Sequence, residues 1–233
     1  MSRTSIFRNI MNRVFAYSRY DLVNNIVTLY LLRKLRYWAS MEIIKSMNEH
    51  DCIILDLGAG DGSMTKYLLK FSIKPKSIVL LDPAINGLLS INELRQEFID
   101  RVVGVSEALP LRQSSICTIY TAFAFRQFNN KALALIEAHR VLRRNGSFVI
   151  LEFWRPDGAM AHAVLLYYLT LPLPLLISIV APRSIRDYLI MRDTIRGIGP
   201  ITWLKDLINR FIGNVEFFKR YLGIFVIIRA RKN

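Results

Sequence analysis

Three glycines at alternate positions follow a short apolar run, and this stretch of the sequence is well suited to bind a ligand. Gly58, Gly60 and Gly62 stand in IILDLGAGDG, where Asp56 and Asp61 add two carboxylates. Glycine adopts positive φ angles and lets the backbone come close to a bound group. The apolar run predicts a buried strand and the following MTKYLLKF predicts a helix. The glycines would then join a strand to a helix N-terminus, which binds ligands with polar or anionic groups.

The glycine spacing argues against a dinucleotide. The order in 58–62 is one residue shorter than the G-x-G-x-x-G fingerprint, which removes the pyrophosphate cradle. The carboxylates of Asp56 and Asp61 would also repel a pyrophosphate. Asp82 ends the next strand pattern about 20 residues later, the offset at which a carboxylate accepts ribose hydroxyls. These features predict a ligand with cationic groups and hydroxyls but no phosphate, such as S-adenosylmethionine. The alternative is that Asp56 and Asp82 only cap helices.

The composition combines apolar character with positive charge. The 233 residues are 52% hydrophobic, their mean hydropathy is +0.27 and their net charge is +14. This combination favours contact with a membrane surface rich in anionic lipid, and a solvated basic face is the alternative. We do not expect a nucleic-acid partner, because no cluster of Lys and Arg interleaved with Ser, Gly and aromatic residues is present.

The two cysteines predict neither a metal site nor a secreted protein. Cys52 and Cys117 lie in apolar, strand-like runs without a CxxC pair or metal-ligand spacing. We therefore expect reduced core cysteines and no metal ligands. The N-terminus lacks a short apolar signal core with a small-residue cleavage site, so secretion is not expected.

Strand and helix patterns alternate from Cys52 onward. The predicted strands are 52–57, 77–82, 101–105, 116–122 and 147–153, and the predicted helices lie near 63–71, 86–98 and 130–144. This alternation indicates an α/β protein with a mostly parallel, doubly wound sheet covered on both faces. The final stretch predicts two strands that turn at Leu222 and Gly223, one of them antiparallel.

Two further segments flank this core. Residues 6 to 46 are helical in pattern and interleaved with basic residues, so they would lie on a membrane, cover a pocket or form a plain helical layer. Residues 163–181 carry no charge, but Pro172 and Pro174 argue against a lone membrane span. We predict an apolar insertion that roofs a pocket or dips into the bilayer interface. The expected single domain, 1–233, then consists of a helical cap (1–48), a ligand-binding core (49–157), the insertion (158–182) and C-terminal helices with a closing hairpin (183–233).

Several motifs together resemble one enzyme family over nearly the full length. They are FAYSRYDLVNN at 15–25, LDLGAGDG, FAFRQF, HRVLRRNG followed by LEFWRP, and RDYLIMRDTIRGIG. With them the chain resembles the class I S-adenosylmethionine-dependent methyltransferases, and in particular the ubiquinone and menaquinone biosynthesis C-methyltransferases. The resemblance implies a Rossmann-like sheet of seven strands with S-adenosylmethionine as cofactor.

The resemblance also implies roles for matching residues. On the cofactor side, Gly58, Gly60 and Asp61, with Asp56 and Gly62 beside them, would hold the methionine part, Asp82 the ribose, and Val105 and Ser106 the adenine. On the acceptor side, the family's polar cluster matches Tyr20, Arg126 and Gln127. The chain departs from the family at four positions: Val105 replaces an acid or amide, Cys117 an aspartate, Phe125 a leucine and Gln127 an asparagine.

The reaction implied by the resemblance is methyl transfer to a ring carbon of a prenylated hydroquinone. Carbon becomes nucleophilic when the adjacent oxygen pushes electron density into the ring, so a group that stabilises the phenolate activates it. Arg126 stays protonated and would act in this way, with water carrying the proton. A surface ion pair is the alternative for Arg126. None of His50, His139 and His162 is expected to act as a general base.

Other functions stay open at this point. The acceptor could be another lipid-like molecule, such as a phospholipid amine or a sterol, or the chain could be a non-catalytic binding subunit. The expected location is cytoplasmic and peripheral at the inner face of the membrane. The expected partner is an isoprenoid quinone-like small molecule, and homo-oligomerisation stays open.

Overall fold

A seven-stranded sheet forms the centre of the structure, a computed structural model that describes residues 9, 12, 25–47, 52–91, 97–182 and 185–233. In chain order its strands are β1 (Ile53–Leu57), β2 (Ser77–Asp82), β3 (Ile99–Val103), β4 (Ile116–Ala122), β5 (Leu142–Phe153), β6 (Val215–Arg220) and β7 (Phe225–Arg231). The spatial order is β3-β2-β1-β4-β5-β7-β6, and β7 pairs antiparallel with both neighbours. The predicted α/β fold, with a mostly parallel sheet and a C-terminal antiparallel strand, is confirmed.

The central strands are apolar on both faces because helices cover both sides of the sheet. Ile54, Ile78 and Ile119 in β1, β2 and β4 are fully buried, as expected for parallel strands. The connections run outward from β1 in one direction and from β4 in the other, which makes the boundary between these strands the topological switch point. Ligands of open α/β sheets bind outside the carboxyl ends of the strands at such a point.

Eight α-helices have both ends within the described residues, and we number them in chain order. They are α1 (Leu32–Ser46), α2 (Ser63–Leu68), α3 (Ile85–Leu89), α4 (Lys131–Val141), α5 (Ala159–Thr170), α6 (Pro172–Val180), α7 (Ile185–Arg196) and α8 (Ile201–Phe211). Helix α1 covers the last part of the predicted helical segment 6–46, most of whose earlier residues lie outside the described ones, and it packs on β4 and β5. There the Thr118 hydroxyl donates to the Ser46 carbonyl over 3.1 Å.

The predicted apolar insertion forms α5 and α6, which meet at Leu171. Pro172 begins α6, a position where its missing N–H costs nothing. The stretch Ala159–Val180 is long and apolar enough to cross a membrane by length and composition, although 22% of it is buried inside the protein. Its exposed apolar side chains include Met160, Leu175 and Ile179.

Some predicted boundaries differ from the structure. Strand β5 begins at Leu142 rather than 147, because Leu142 pairs with Ile116 ahead of a register shift and Asn145 turns the strand at φ 63°. Strand β3 begins at Ile99, two residues early. As an edge strand it is only partly buried, so it lacks the clear apolar pattern of the central strands. Helix α3 ends at Leu89, and most of the remainder of predicted helix 86–98 lies outside the described residues.

The expectation of two reduced cysteines is wrong for this structure. Cys52 and Cys117 are buried as expected, but their sulfur atoms are joined in a disulfide, with Cα atoms 5.7 Å apart. The physical reason is the strand order. Cys52 directly precedes β1 and Cys117 lies in β4, so two residues 65 apart in sequence become neighbours.

Candidate active site

The glycine turn after β1 has the backbone conformation that the sequence predicts. Gly58, Gly60 and Gly62 have φ angles of 79°, 55° and 69°. The amides of Gly58 and Ala59 both donate to the carbonyl of Leu81, over 2.8 and 3.1 Å, which ties the turn to the end of β2. The turn is therefore held at the carboxyl edge of the sheet.

Asp82 connects the turn to the segment that follows β2. Its carboxylate accepts the backbone N–H of Gly60 over 2.9 Å and that of Ala84 over 2.7 Å. Burial raises the pKa of Asp82 to about 6, and the charge of Asp61 adds to the effect. The bond to Ala84 is a local turn contact and not the helix cap weighed above, because Ala84 is itself the N-cap residue of α3 and that helix has no side-chain capping bond. A carboxylate has about four acceptor sites, so two N–H bonds leave capacity for ribose hydroxyls.

Asp56 lies deeper than Asp82 and faces two hydroxyls. Its Oδ2 accepts the hydroxyl of Thr65, in α2, over 2.6 Å, and the hydroxyls of Thr65 and Tyr120 are 2.6 Å apart. Burial, and secondarily the charge of Asp82, raises the pKa of Asp56 to about 7. Sequence reasoning missed Thr65 and Tyr120, whose proximity follows from the pairing of Asp56 with Tyr120 in the register of β1 and β4.

Asp61 bonds Ser63, the first residue of the helix that follows it. Its carboxylate accepts the backbone N–H of Ser63 over 3.1 Å and the Ser63 hydroxyl over 2.8 Å. The charges of Asp82 and Asp61 raise the pKa of Asp56, and the charge of Asp61 raises that of Asp82, so the cluster carries an excess of negative charge. A ligand with cationic groups and hydroxyls relieves this repulsion, so the residues present fit S-adenosylmethionine.

Val105 and Ser106 follow β3 and lie close to Asp82 along the sheet edge. Asp82 pairs with Val103, and the Gly104 amide donates to the Asp82 carbonyl over 3.3 Å. Val105 is partly exposed, whereas Ser106 is buried and its hydroxyl donates to Glu107 over 2.9 Å. The Ser106 hydroxyl is thus already engaged within the protein, which leaves backbone groups as the more available contacts for an adenine ring.

Arg126 lies in a 3-10 turn, Phe125–Gln127, that begins three residues after the end of β4. Its guanidinium forms an ion pair with Glu152 in β5, and Nη1 also donates to the Phe123 carbonyl over 2.9 Å. The Arg126 side chain is 6% exposed and that of Glu152 is fully buried. The ion pair weighed above therefore exists, but it is buried and not on the surface. Sequence reasoning missed Glu152, although an acid inside the apolar run FVILEFW was a usable signal.

The remaining acceptor-side residues differ in how much the structure says of them. Gln127 is half-buried, and its backbone N–H donates to the Ala124 carbonyl over 2.9 Å. Tyr20 lies outside the described residues. Trp154 is fully buried and stacks on Trp203 with ring centroids 6.4 Å apart.

Buried polar atoms without a hydrogen-bond partner concentrate near the same sheet edge. Within the described part of the chain they include four that follow or end β4 and β5: Thr121 Oγ1, Arg126 Nε, Trp154 Nε1 and Arg155 Nε. Because buried polar groups are normally paired, such a concentration marks a place where a ligand supplies partners. The described residues contain no group of three or more His, Cys, Asp or Glu suited to a metal ion.

The glycine turn and the Arg126 turn touch each other. A Cβ built on Gly58 would lie 2.5 Å from Cβ of Ala124 and 3.9 Å from both the Phe128 ring and Thr121 Oγ1. The structure therefore brings the acidic cluster and the arginine turn to adjacent positions at the carboxyl ends of β1 and β4.

Comparison of the sequence with known proteins identifies a family. The chain matches the ubiE/COQ5 methyltransferase family over residues 3–232. It is 29% identical over 239 residues to a ubiquinone/menaquinone biosynthesis C-methyltransferase UbiE of Blochmanniella pennsylvanica, covering 99% of this chain and 91% of that protein. It is 30% identical over 210 residues to a demethylmenaquinone methyltransferase of Lactiplantibacillus plantarum, covering 88% of this chain and 87% of that protein.

Solved structures show the same fold. A methyltransferase of Thermotoga maritima that depends on S-adenosylmethionine has a TM-score of 0.60 at 15% identity, covering 97% of this chain and 100% of its own. A second, from Methanococcus maripaludis, has a TM-score of 0.58 at 15% identity, covering 91% and 90% of the two chains. The resemblance drawn from the motifs is confirmed.

Proposed function

Because the chain belongs to the ubiE/COQ5 methyltransferase family, we propose a chemical role for each side of its site. The chain is an S-adenosylmethionine-dependent C-methyltransferase that acts on a prenylated hydroquinone in quinone biosynthesis. The observation that carries the assignment of roles is the contact of the Gly58 turn with Ala124, two residues before Arg126. In this proposal, the cofactor side and the acceptor side of the site are therefore adjacent.

On the cofactor side, acids and glycine backbone hold S-adenosylmethionine. Asp82 accepts the ribose hydroxyls, while Asp61 and the glycine turn bind the methionine part. Asp56 contributes negative charge from beneath the turn, since its carboxylate bonds to Thr65. Val105 and the backbone of Ser106 flank the adenine. The bound cofactor supplies an electrophilic methyl group on a positively charged sulfur.

On the acceptor side, Arg126 stabilises the oxygen of the hydroquinone as negative charge develops on it. A guanidinium remains protonated at neutral pH, so it donates hydrogen bonds and does not remove the proton, which passes to water. Stabilising the phenolate raises the electron density on the neighbouring ring carbon, which would attack the methyl carbon as the sulfur–methyl bond breaks. The proton on that ring carbon then moves to the oxygen, which restores the aromatic hydroquinone. Gln127 and Tyr20 complete the polar cluster in this proposal.

An acceptor with an isoprenoid tail gives a reason for the exposed apolar surface, because such a tail resides in the membrane. Helices α5 and α6 expose large apolar side chains. The Tyr168 hydroxyl donates to the Ile26 carbonyl over 2.7 Å. This bond joins α5 to the segment that exposes Leu29 and Tyr30. Arg33 and Lys34, which follow, are also exposed. We propose that this surface contacts anionic lipid at the cytoplasmic face of the membrane, where the tail resides.

The other readings of the sequence are less well supported. A different acceptor would be favoured if Phe125, where the family has leucine, reshaped the ring pocket, but Phe125 is fully buried against Phe148 and Trp154 and belongs to the core. This observation removes one argument for a phospholipid or sterol acceptor. A non-catalytic subunit is inconsistent with membership of a methyltransferase family.

The test supplies labelled S-adenosylmethionine and a lipid extract from a strain that lacks the protein. We expect the label in a methylated quinol, and demethylmenaquinol offered alone should also accept it. Phospholipid vesicles without quinol serve as the control and should remain unlabelled. Label in the phospholipid, or no transfer by folded protein that binds the cofactor, would overturn the acceptor assignment.

A further inference from the structure

We propose that Glu152 is the positioning residue that fixes the Arg126 guanidinium and leaves its Nε–H as the donor to the acceptor's oxygen. This inference rests on the proposed role of Arg126. It assigns a function to a residue outside the predicted site and names the atom of Arg126 that meets the substrate.

One carboxylate holds Arg126 by both main chain and side chain. Glu152 Oε2 accepts the backbone N–H of Arg126 over 3.1 Å, and Oε1 bonds to Nη1 of the same residue. Oε1 also accepts the backbone N–H of Phe153 over 2.8 Å, which anchors the carboxylate to its own strand. The 3-10 turn and the arginine side chain are therefore fixed relative to β5 by a single group.

These contacts determine the orientation of the guanidinium plane. Nη1 has two acceptors, Glu152 and the carbonyl of Phe123, and the guanidinium is rigid and planar. Fixing one nitrogen by two acceptors fixes the directions of the other N–H bonds as well. Nε is buried and has no hydrogen-bond partner among the described residues. Its N–H is thus a preorganised donor that has no acceptor within the described residues and can bond the oxygen of the hydroquinone.

The burial of the pair explains why an acid is needed there. The Arg126 side chain is 6% exposed, and an unpaired cation at that depth would be costly. Glu152 balances the charge, so the pair presents a polarised N–H without a net charge. A neutral hydroquinone can then approach without an uncompensated ion beside its apolar ring, and the donor strengthens its bond as the oxygen becomes negative.

The test compares two matched substitutions of buried acids. Glu152→Gln keeps the shape of the side chain but removes its charge and one acceptor. We expect kcat to fall at least about tenfold. Cofactor affinity and the KM for the cofactor should stay within about twofold of the wild-type values. Glu42→Gln is the control, because Glu42 is also a buried acid paired with an arginine, Arg229, over 2.9 Å, but it lies on α1. It should leave kcat unchanged.

A double-substitution cycle separates positioning from general stability. In an Arg126→Lys background, Glu152→Gln should cause little further loss of kcat, because lysine lacks Nε–H and the residue that Glu152 orients is gone. Full, multiplicative losses in the double variant would overturn the proposal, as would wild-type kcat in folded Glu152→Gln.

A measurement on the wild-type protein covers the case in which the variants do not fold. The Nε–H resonance of Arg126, followed by NMR in protein labelled with ¹⁵N-arginine, should shift when a short-chain demethylmenaquinol is added and not when S-adenosylhomocysteine alone is added. No shift on saturation with the quinol would overturn the assignment of Nε. If the wild-type protein transfers no methyl group to the quinol, the proposed function fails instead.

Discussion

Gly58 and Ala124 approach so closely that a Cβ on the glycine would lie 2.5 Å from Cβ of the alanine, while Gly58 has a φ of 79°. Two independent constraints, backbone conformation and space, therefore require glycine at this position. The contact fixes the distance between the glycine turn, which we propose binds the cofactor, and the turn that carries Arg126.

The first prediction concerns this contact. Gly58→Ala should destabilise the fold by more than about 2 kcal/mol, because the left-handed conformation and the overlap with Ala124 both cost free energy. Cofactor affinity should fall with it, as measured by calorimetry with S-adenosylhomocysteine. Gly158→Ala is the control, because Gly158 has an ordinary φ of −73° and a Cβ there would approach nothing closer than 4.0 Å. Equal effects at both positions would contradict the argument.

The second prediction concerns Asp82. Asp82→Asn should weaken binding of S-adenosylmethionine about 10- to 100-fold, because hydrogen bonds to a charged acceptor contribute about 1.5–3 kcal/mol. Equilibrium dialysis with labelled cofactor measures the change. Asp100→Asn on β3 is the control, because it changes an exposed acid that accepts the Ser77 hydroxyl, and it should leave affinity unaltered. A wild-type affinity in Asp82→Asn would exclude the ribose contact.

The third prediction is a pH dependence. The pKa values of Asp56 and Asp82 are raised to about 7 and about 6, and the groups that face them are Thr65, Tyr120 and Asp61. Because a cationic ligand favours the ionised carboxylates, cofactor binding should release protons and tighten as pH rises through about 6 to 7. Calorimetry in buffers of different ionisation enthalpy measures the proton release. Binding that is independent of pH across this window would contradict it.

The same pKa values predict the opposite trend for the free energy of unfolding. In the cofactor-free protein, the raised values mean that the folded state binds more protons than the unfolded state between about pH 4 and pH 7. Stability should therefore fall as pH rises through that range. Asp56→Asn should reduce this slope, and urea unfolding at a series of pH values measures it.

The fourth prediction separates stability from turnover at Arg126. Arg126→Ala leaves Glu152 as an unpaired buried charge, so it should cost about 3–5 kcal/mol of stability as well as turnover. Adding Glu152→Gln should restore part of the stability but none of the turnover, as measured by urea unfolding and methyl transfer. A double variant as active as the wild type would show that Arg126 has no catalytic role.

The fifth prediction concerns the exposed apolar helices. Replacing Leu175 and Ile179 of α6 by Glu should abolish co-sedimentation with anionic vesicles, because it places charge on the surface that we propose contacts lipid. Methylation of a short-chain, soluble quinol should continue at the wild-type rate. Leu133→Glu is the control, since Leu133 is also an exposed apolar residue but lies on α4. Vesicle binding that survives the double replacement would place the lipid contact elsewhere.

The sequence was informative where one local pattern carries the information. The buried strands, the positive φ of the three glycines and the interruption before Pro172 each depend on residues close together in the chain. The interactions that were missed join distant strands. Glu152 meets Arg126 only because β4 and β5 are neighbours, and Cys52 meets Cys117 only because β1 and β4 are. Strand order and register decide such pairs, and local periodicity does not specify them.

The hydroxyl of Thr65 has a single proton, and it donates that proton to Asp56. Tyr120 must then be the donor in its own contact with Thr65. As long as Asp56 is ionised, the hydrogen bonds therefore run in one direction, from Tyr120 through Thr65 to Asp56. Once Asp56 takes up a proton, both hydroxyls become free to rotate the other way. The direction of these buried hydrogen bonds therefore depends on whether Asp56 is protonated, and it can reverse without the displacement of any heavy atom.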